Sequence, residues 1–329
     1  MTRWWICPRR PCPHENGSVV RPSVDETRIY NELNLLTHIN NAGKVNANYT
    51  YDKNRNKLTE TFDGLMASKG FTIDANNGYD AEDRFLKFNQ TGNDVTFTRS
   101  NIGNISTITL NTLNTMRGYS NVHELTKTDT SLPAPDQSFD SDGNMTTMAS
   151  GNKLGWDGAG RLESVSDQSD VVVENYGYDV AGRRVVKQAT TDTVYIHAGP
   201  NCIAEYASGA ADISPEVEFV YAQGIDSLVL IDTGSAELAV LRNQQWSVTA
   251  LVNNTTGSVE ERYAYDHFGK RTIYAADGTT VLPVSSHKNP YGYTSRRHDD
   301  ETGLRYYRAR YYDPATGEFI SPDPLEYVD

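Results

Sequence analysis

One short unit recurs along the chain: an aromatic residue, Asp, two variable residues, Gly, and then a polar or basic residue. It reads "FDSDGNM" at residues 139–145, "WDGAGRL" at 156–162, "YDVAGRR" at 178–184 and "YDHFGKR" at 265–271. Weaker copies are "YDKNRNKL" at 51–58, where Arg55 stands in place of the glycine, "YDAEDRFLKF" at 79–88, and "YYDPATGEF" near the end, with one extra residue before Gly317. Such a repeat constrains the fold strongly, because each copy must be one small structural element that buries its apolar face only by stacking on the next. The unit itself has a mechanical reading. An Asp that opens a four-residue turn accepts hydrogen bonds from the following amides, and Gly at the fourth position takes the left-handed conformation that returns the chain as a second strand.

Each copy is therefore expected to be a β-hairpin tip, flanked by residues that alternate as strands do. In "VVVENYGYDVAGRRVVKQ" Tyr176 and Tyr178 share one face, and Arg184, Val186 and Gln188 share a face of the returning strand. The ring before each tip is expected to pack on its neighbours' rings. Copies that begin at residues 139, 156 and 178 are 17 and 22 residues apart, the length of a two-stranded hairpin with a variable return loop. Lone hairpins are marginal in water, so the expected fold is all-β, with consecutive hairpins joined edge to edge into a curling, spiral sheet. The intervening "EVEFVYAQGIDSLVLID" and the alternating Ile, Leu and Thr of residues 99–121 read as further strands. No long helical pattern competes. Residues 1–48 form an unassigned leader, 49–245 carry degenerate hairpin repeats, and 246–329 form a denser terminal region.

Composition removes several function classes. With 30 Lys and Arg against 43 Asp and Glu, the net charge of -13 disfavours non-specific binding to nucleic acid or to an anionic membrane. No apolar run approaches the length of a membrane-spanning helix. The opening "MTRWWICPRRPCPHENG" is interrupted by prolines and makes a poor signal peptide. The three cysteines, Cys7, Cys12 and Cys202, fit neither a disulfide framework nor a zinc pattern, although Cys7, Cys12 and His14 could contribute to a metal site. No cofactor or metal is expected. The histidines lack a His-Glu-x-x-His arrangement, and no Gly-x-Ser-x-Gly is present.

The last part of the chain is unusual. "NPYGYTSRRHDDETGLRYYRARYYDPATGEFISPDP", residues 289–324, packs seven aromatic residues, five arginines and two Asp-Pro steps into one segment. Together with "WSVTALVNNTTGSVEERYAYDHFGKR" at residues 246–271, it resembles the repeat-associated core at the C-terminal end of bacterial Rhs proteins and of the related C components of ABC-type toxin complexes. The aromatic-Asp units resemble the YD repeats of the same proteins.

That resemblance implies a hollow shell of wound strands that encloses a toxic polypeptide and frees it after self-cleavage. For this chain it implies a partial Rhs/YD-repeat shell, apparently truncated and without its cargo, secreted or at the cell surface. The partners it implies are the cargo polypeptide or the remainder of the shell. A cell-surface module that binds carbohydrate or protein, with glycans stacking on Trp156 and Tyr178, is the alternative. The dense segment would close the core, its tyrosines and arginines stacking and pairing with carboxylates.

The family's self-cleavage is of aspartyl-protease type, a chemistry that needs two carboxyl groups sharing one proton. The matching acids here are Asp313 and Asp323, on either side of the turn at Gly317, with Arg310 as a group that orients them. Arg308 reads more readily as a structural arginine stacked on rings. Where the family has a glycine after the final Asp-Pro, this chain has Glu326, and the further Asp-Pro-x-Gly beyond which relatives are cut does not occur. The segment is expected to keep the catalytic fold without a bond to cut.

Overall fold

The computed structural model describes residues 25–90, 93–131, 136–208 and 214–324; Cys7, Cys12, His14 and Glu326 lie outside the described residues. The repeat folds as its residues dictate. At Asp179 the backbone N–H donates to Arg183 O (2.9 Å) and Gly182 N–H donates to Asp179 O (3.0 Å), with Gly182 left-handed at φ 75°. One carboxylate oxygen of Asp179 accepts from Ala181 and Arg183 N–H, both at 2.9 Å, and the other takes the Arg183 guanidinium at 2.7 Å. The basic residue after the glycine therefore folds back on the Asp that opens the turn. Asp157 with Arg161 repeats the arrangement, and Asp140 does so with the Asn144 amide.

The turn also inserts a bulge. Register shifts between Gly177 and Tyr178, so that Tyr178 pairs with Arg184, and the same shift precedes Trp156 and Tyr51. Each bulge adds right-handed twist, and repeated bulges curl a sheet that would otherwise lie flatter. The turn persists where glycine is missing, with Arg55 at φ 74° and Asp83 at φ 59° in its place. It also forms at turns the repeat pattern does not flag, where His123 (φ 70°) and Trp246 (φ 67°) occupy the left-handed position.

The aromatic residue before each turn explains the edge-to-edge stacking. Tyr178 donates its hydroxyl to Leu162 O (2.6 Å), Trp156 its indole N–H to Met145 O (2.7 Å) and Tyr265 its hydroxyl to Val248 O (2.8 Å). Tyr51, Tyr79 and Tyr119 reach Leu36, Lys57 and Ile105 O in the same way, at 2.5, 2.6 and 2.9 Å. In all six the acceptor is the fifth residue beyond the residue that opens an earlier turn (Asp157 to Leu162, Asp140 to Met145, Asn243 to Val248). The ring thus clasps an earlier hairpin where its returning strand starts.

Among the described residues, strands pair antiparallel in sequence order. Nine run from Thr27–Tyr30 to Leu113–Met116, two follow at Gly118–Tyr119 and Leu125–Lys127, fifteen run from Ser138–Phe139 to Val281–Leu282, and four close the chain at Arg297–His298, Arg305–Tyr306, Tyr311–Asp313 and Glu318–Phe319. Two short 3-10 turns, Gly64–Lys69 and Tyr293–Ser295, are the helical elements described. The architecture is all-β, with long open sheets that do not close into a barrel. Strands begin at Thr27, ahead of the first recognisable repeat.

The hairpin Glu237–Arg242 and Val248–Asn253 lies at the centre and is buried on both faces. Leu238, Val240, Val248 and Leu251 face a cluster that includes Phe219, Tyr263 and Tyr291. Ala239, Leu241, Ala250 and Val252 face Val45, in a loop of the N-terminal sheet, and Met66, in the 3-10 turn Gly64–Lys69. Burial on both faces is why "ELAVLR" and "VTALVN" read as nearly continuous apolar runs and not as alternation.

Candidate functional site

Residues 289–324 fold back against the long sheet and are fastened by paired arginines and carboxylates. Arg184, on the returning strand of the Asp179 hairpin, is fully buried. Its guanidinium lies 4.8, 5.0 and 5.1 Å from the ring centres of Tyr306, Tyr195 and Tyr176, and makes a bidentate pair with Asp299 at 2.6 and 2.9 Å. The Tyr306 hydroxyl accepts the Arg184 backbone N–H at 3.1 Å. Burial works to raise the Asp299 carboxyl, and the Arg184 guanidinium overrides it and holds that carboxyl below its usual value.

The pattern repeats along the seam. Arg297 packs over Tyr195 (4.7 Å) and Tyr291 (5.1 Å) and pairs with Glu205 at 2.5 Å. Arg271 of the long sheet donates to Asp300 at 2.7 Å, Lys187 donates to Glu301 at 2.7 Å, and Arg296 and Arg308 converge on Asp226. Arg117 reaches Thr316 O and Glu318. Apolar contacts fill the spaces between these pairs: Leu304, Tyr306, Tyr311 and Ile320 pack on Met145, Leu154, Leu162, Val165 and Tyr176.

Glu174 sits at the buried edge of this seam, accepting from the Tyr176 hydroxyl, with Lys187 Nζ 3.5 Å from its other oxygen. Burial first, and the nearby Asp299 carboxylate second, push its carboxyl up to about 8. Glu174 is therefore mostly protonated at neutral pH in spite of Lys187.

The residues singled out from sequence each have their own partners. Asp313 is buried, accepts from Ala315 N–H (2.8 Å) and Thr316 Oγ1 (3.0 Å), and is raised above the usual carboxylate range, chiefly by burial. Asp323 is held at 2.9 Å by Arg310, whose guanidinium also lies 3.8 Å from the centre of the Phe319 ring. Arg310 and Asp323 are thus brought together, while Asp313 is engaged by its own turn. Trp156 and Tyr178, the rings offered for glycan stacking, are half-buried, packed against the seam's apolar cluster with their polar atoms on Met145 O and Leu162 O. Arg184 was visible in sequence as the second arginine of "GRR"; alternation turns it away from Arg183 and inward. Among the described residues no cluster of three His, Cys, Asp or Glu is placed to hold a metal ion. No helix among them is long and apolar enough to cross a membrane.

No protein-family model matches the chain. Over 189 residues it is 28% identical to the tRNA3(Ser)-specific nuclease WapA of Bacillus spizizenii, covering 57% of this chain and 8% of that protein. Over 279 residues it is 25% identical to toxin subunit YenC1 of Yersinia entomophaga, covering 77% of this chain and 27% of the relative. The chain thus spans under a third of the length of these curated relatives. Among solved structures, the crystal structure of TcdB2-TccC3-TEV superimposes with a TM-score of 0.72 at 19% identity, over 94% of this chain and 17% of that one. The fold is that of these toxin-complex shells, and the chain is related to Rhs/YD-repeat toxin proteins.

Proposed function

We propose that the chain is a wall-and-closure section of a toxin-associated Rhs scaffold, and that its role is to help enclose a polypeptide cargo carried with it. Likeness to toxin-complex shells supports the scaffold role. The observation that carries the enclosing role is the seam. Five arginines of the long sheet and the terminal segment (Arg184, Arg271, Arg296, Arg297 and Arg308) pair with carboxylates across the interface between the two. Two of these pairs, Arg184 with Asp299 and Arg297 with Glu205, are largely desolvated, and a buried charge is costly unless fully partnered, so a free tail would gain little from them. A segment that has to hold a wall in one curvature needs them.

The test is protection of a fused polypeptide. With this section carried in place of the matching part of a full-length relative's shell, an unfolded reporter attached after residue 329 should resist trypsin at amounts that digest the free reporter, and Arg184→Met should remove the protection. Equal digestion of fused and free reporter would overturn the enclosing role. Within the same reading, Asp313 is the acid suited to a proton-donating role, because burial favours its protonated form. Asp323, oriented by Arg310, is the candidate second carboxylate. In a fusion that supplies a cleavable tail, Asp313→Asn should abolish release, and unchanged release would sink the assignment.

A further inference from the structure

Between the N-terminal sheet and the long sheet lies a cavity of about 130 Å³ that the seam does not use. Phe62, Phe71, Phe88, Tyr265 and Tyr293 are among its walls, and Phe71 and Phe88 stack with ring centres 4.9 Å apart. An apolar cavity of roughly 150 Å³ is enough to hold benzene, and this one, slightly smaller but open at the surface, is of the size of a single six-membered ring. Its charged lining residues are already committed. Lys57 Nζ donates to Glu60 (2.7 Å) and sits 4.9 Å over the Phe71 ring, the other Glu60 oxygen takes the Asn243 amide at 2.8 Å, Lys69 Nζ lies 4.3 Å over Tyr274, and Asp266 accepts from the Phe268 and Lys270 N–H groups of its own turn. The walls therefore favour a neutral ligand. Thr249, also in the lining, is 3% exposed, and its hydroxyl has no hydrogen-bond partner among the described residues. A buried hydroxyl left unpaired is costly, and a ligand carrying its own hydroxyl supplies the missing partner. Gln245, another lining residue, is exposed, so the cavity reaches the surface.

We propose that this cavity is a binding site for one neutral phenol ring, hydrogen-bonded by Thr249. The ring comes either from a free phenol or from a tyrosine side chain of an extended polypeptide; the second source rests on the enclosing role proposed above, and the first does not. The test is titration of the intact chain with p-cresol, toluene and acetyl-Gly-Tyr-Gly-amide. Wild type should bind p-cresol saturably, one per chain. Thr249→Val should weaken p-cresol about tenfold, the effect of one lost hydrogen bond, while leaving toluene unchanged. Its thermal stability should equal or exceed that of wild type, since an unpaired hydroxyl is removed. Ala264→Leu, which fills the cavity, should abolish binding of both compounds and serves if Thr249→Val misfolds. Peptide that competes with p-cresol assigns the site to a tyrosine side chain, and p-cresol binding without peptide binding assigns it to free phenols. Absence of saturable p-cresol binding, or p-cresol and toluene responding alike to Thr249→Val, overturns the proposal. Reporter protection without p-cresol binding would leave the enclosing role standing and remove only this site.

Discussion

At Tyr178 one hydroxyl serves two layers: it donates to Leu162 O of the preceding hairpin and lies 3.0 Å from the Tyr311 hydroxyl of the terminal segment. Tyr51 makes the first of these contacts, to Leu36 O. Tyr178→Phe should therefore cost about 1–2 kcal/mol of unfolding free energy and Tyr51→Phe about 1 kcal/mol or less, both read from denaturant melts. Equal, negligible losses would show that the clasps are incidental. Glu174 gives a pH signature. Its carboxyl titrates near 8 when folded and at the ordinary glutamate value when unfolded, so the folded state binds the extra proton between those limits. The contribution is fully present below pH of about 4.5, declines as pH rises, and is lost once pH passes about 8. Glu174→Gln, which cannot ionise, should leave Tm nearly unchanged at pH 5 and raise it relative to wild type at pH 8.5. A Tm difference that does not vary with pH would contradict the protonated state.

At the scale of the hairpin, Gly182 stands at φ 75° with open space around the position a Cβ would take. Gly182→Ala should thus cost only the conformational penalty of a left-handed L-residue, about 1 kcal/mol. Gly269→Ala meets the Tyr293 ring at 2.7 Å as well and should cost distinctly more, as melts of the two variants would show. The hairpins announced by aromatic-Asp-x-x-Gly were legible because local hydrogen bonds specify them. Turns at Asn243 and Ser120 were not legible, because Trp246 and His123 fill the glycine position and Asn243 Oδ1 and Ser120 Oγ stand in for the Asp carboxylate in capping the following amides. The six clasps show half of themselves in sequence: the donor ring is part of the motif, but the acceptor is a backbone carbonyl that any residue supplies. The site was less legible than the fold. "RRHDDETG" reads as a run of exposed charge, yet Asp299 is buried because Arg184, 115 residues away, meets it. Asp313 and Asp323 have the spacing of a pair, and their separate partners follow from a turn geometry that spacing does not encode.

The whole molecule is a stack in which the N-terminal sheet and the terminal segment both lean on the Glu237–Arg242 and Val248–Asn253 hairpin. Stability should therefore be shared and not confined to the segment that is altered. Asp299→Asn keeps the shape of the side chain but leaves Arg184 buried without its counter-charge, a loss of about 3–5 kcal/mol. Hydrogen exchange of this variant against wild type, followed peptide by peptide, tests most directly whether residues 289–324 close the wall. The account predicts that protection falls together in residues 289–324 and in the strands Val172–Tyr178 and Arg184–Gln188 that the seam holds. Faster exchange confined to residues 289–324, with those strands unchanged, would mean that the segment is an appendage resting on a self-sufficient sheet.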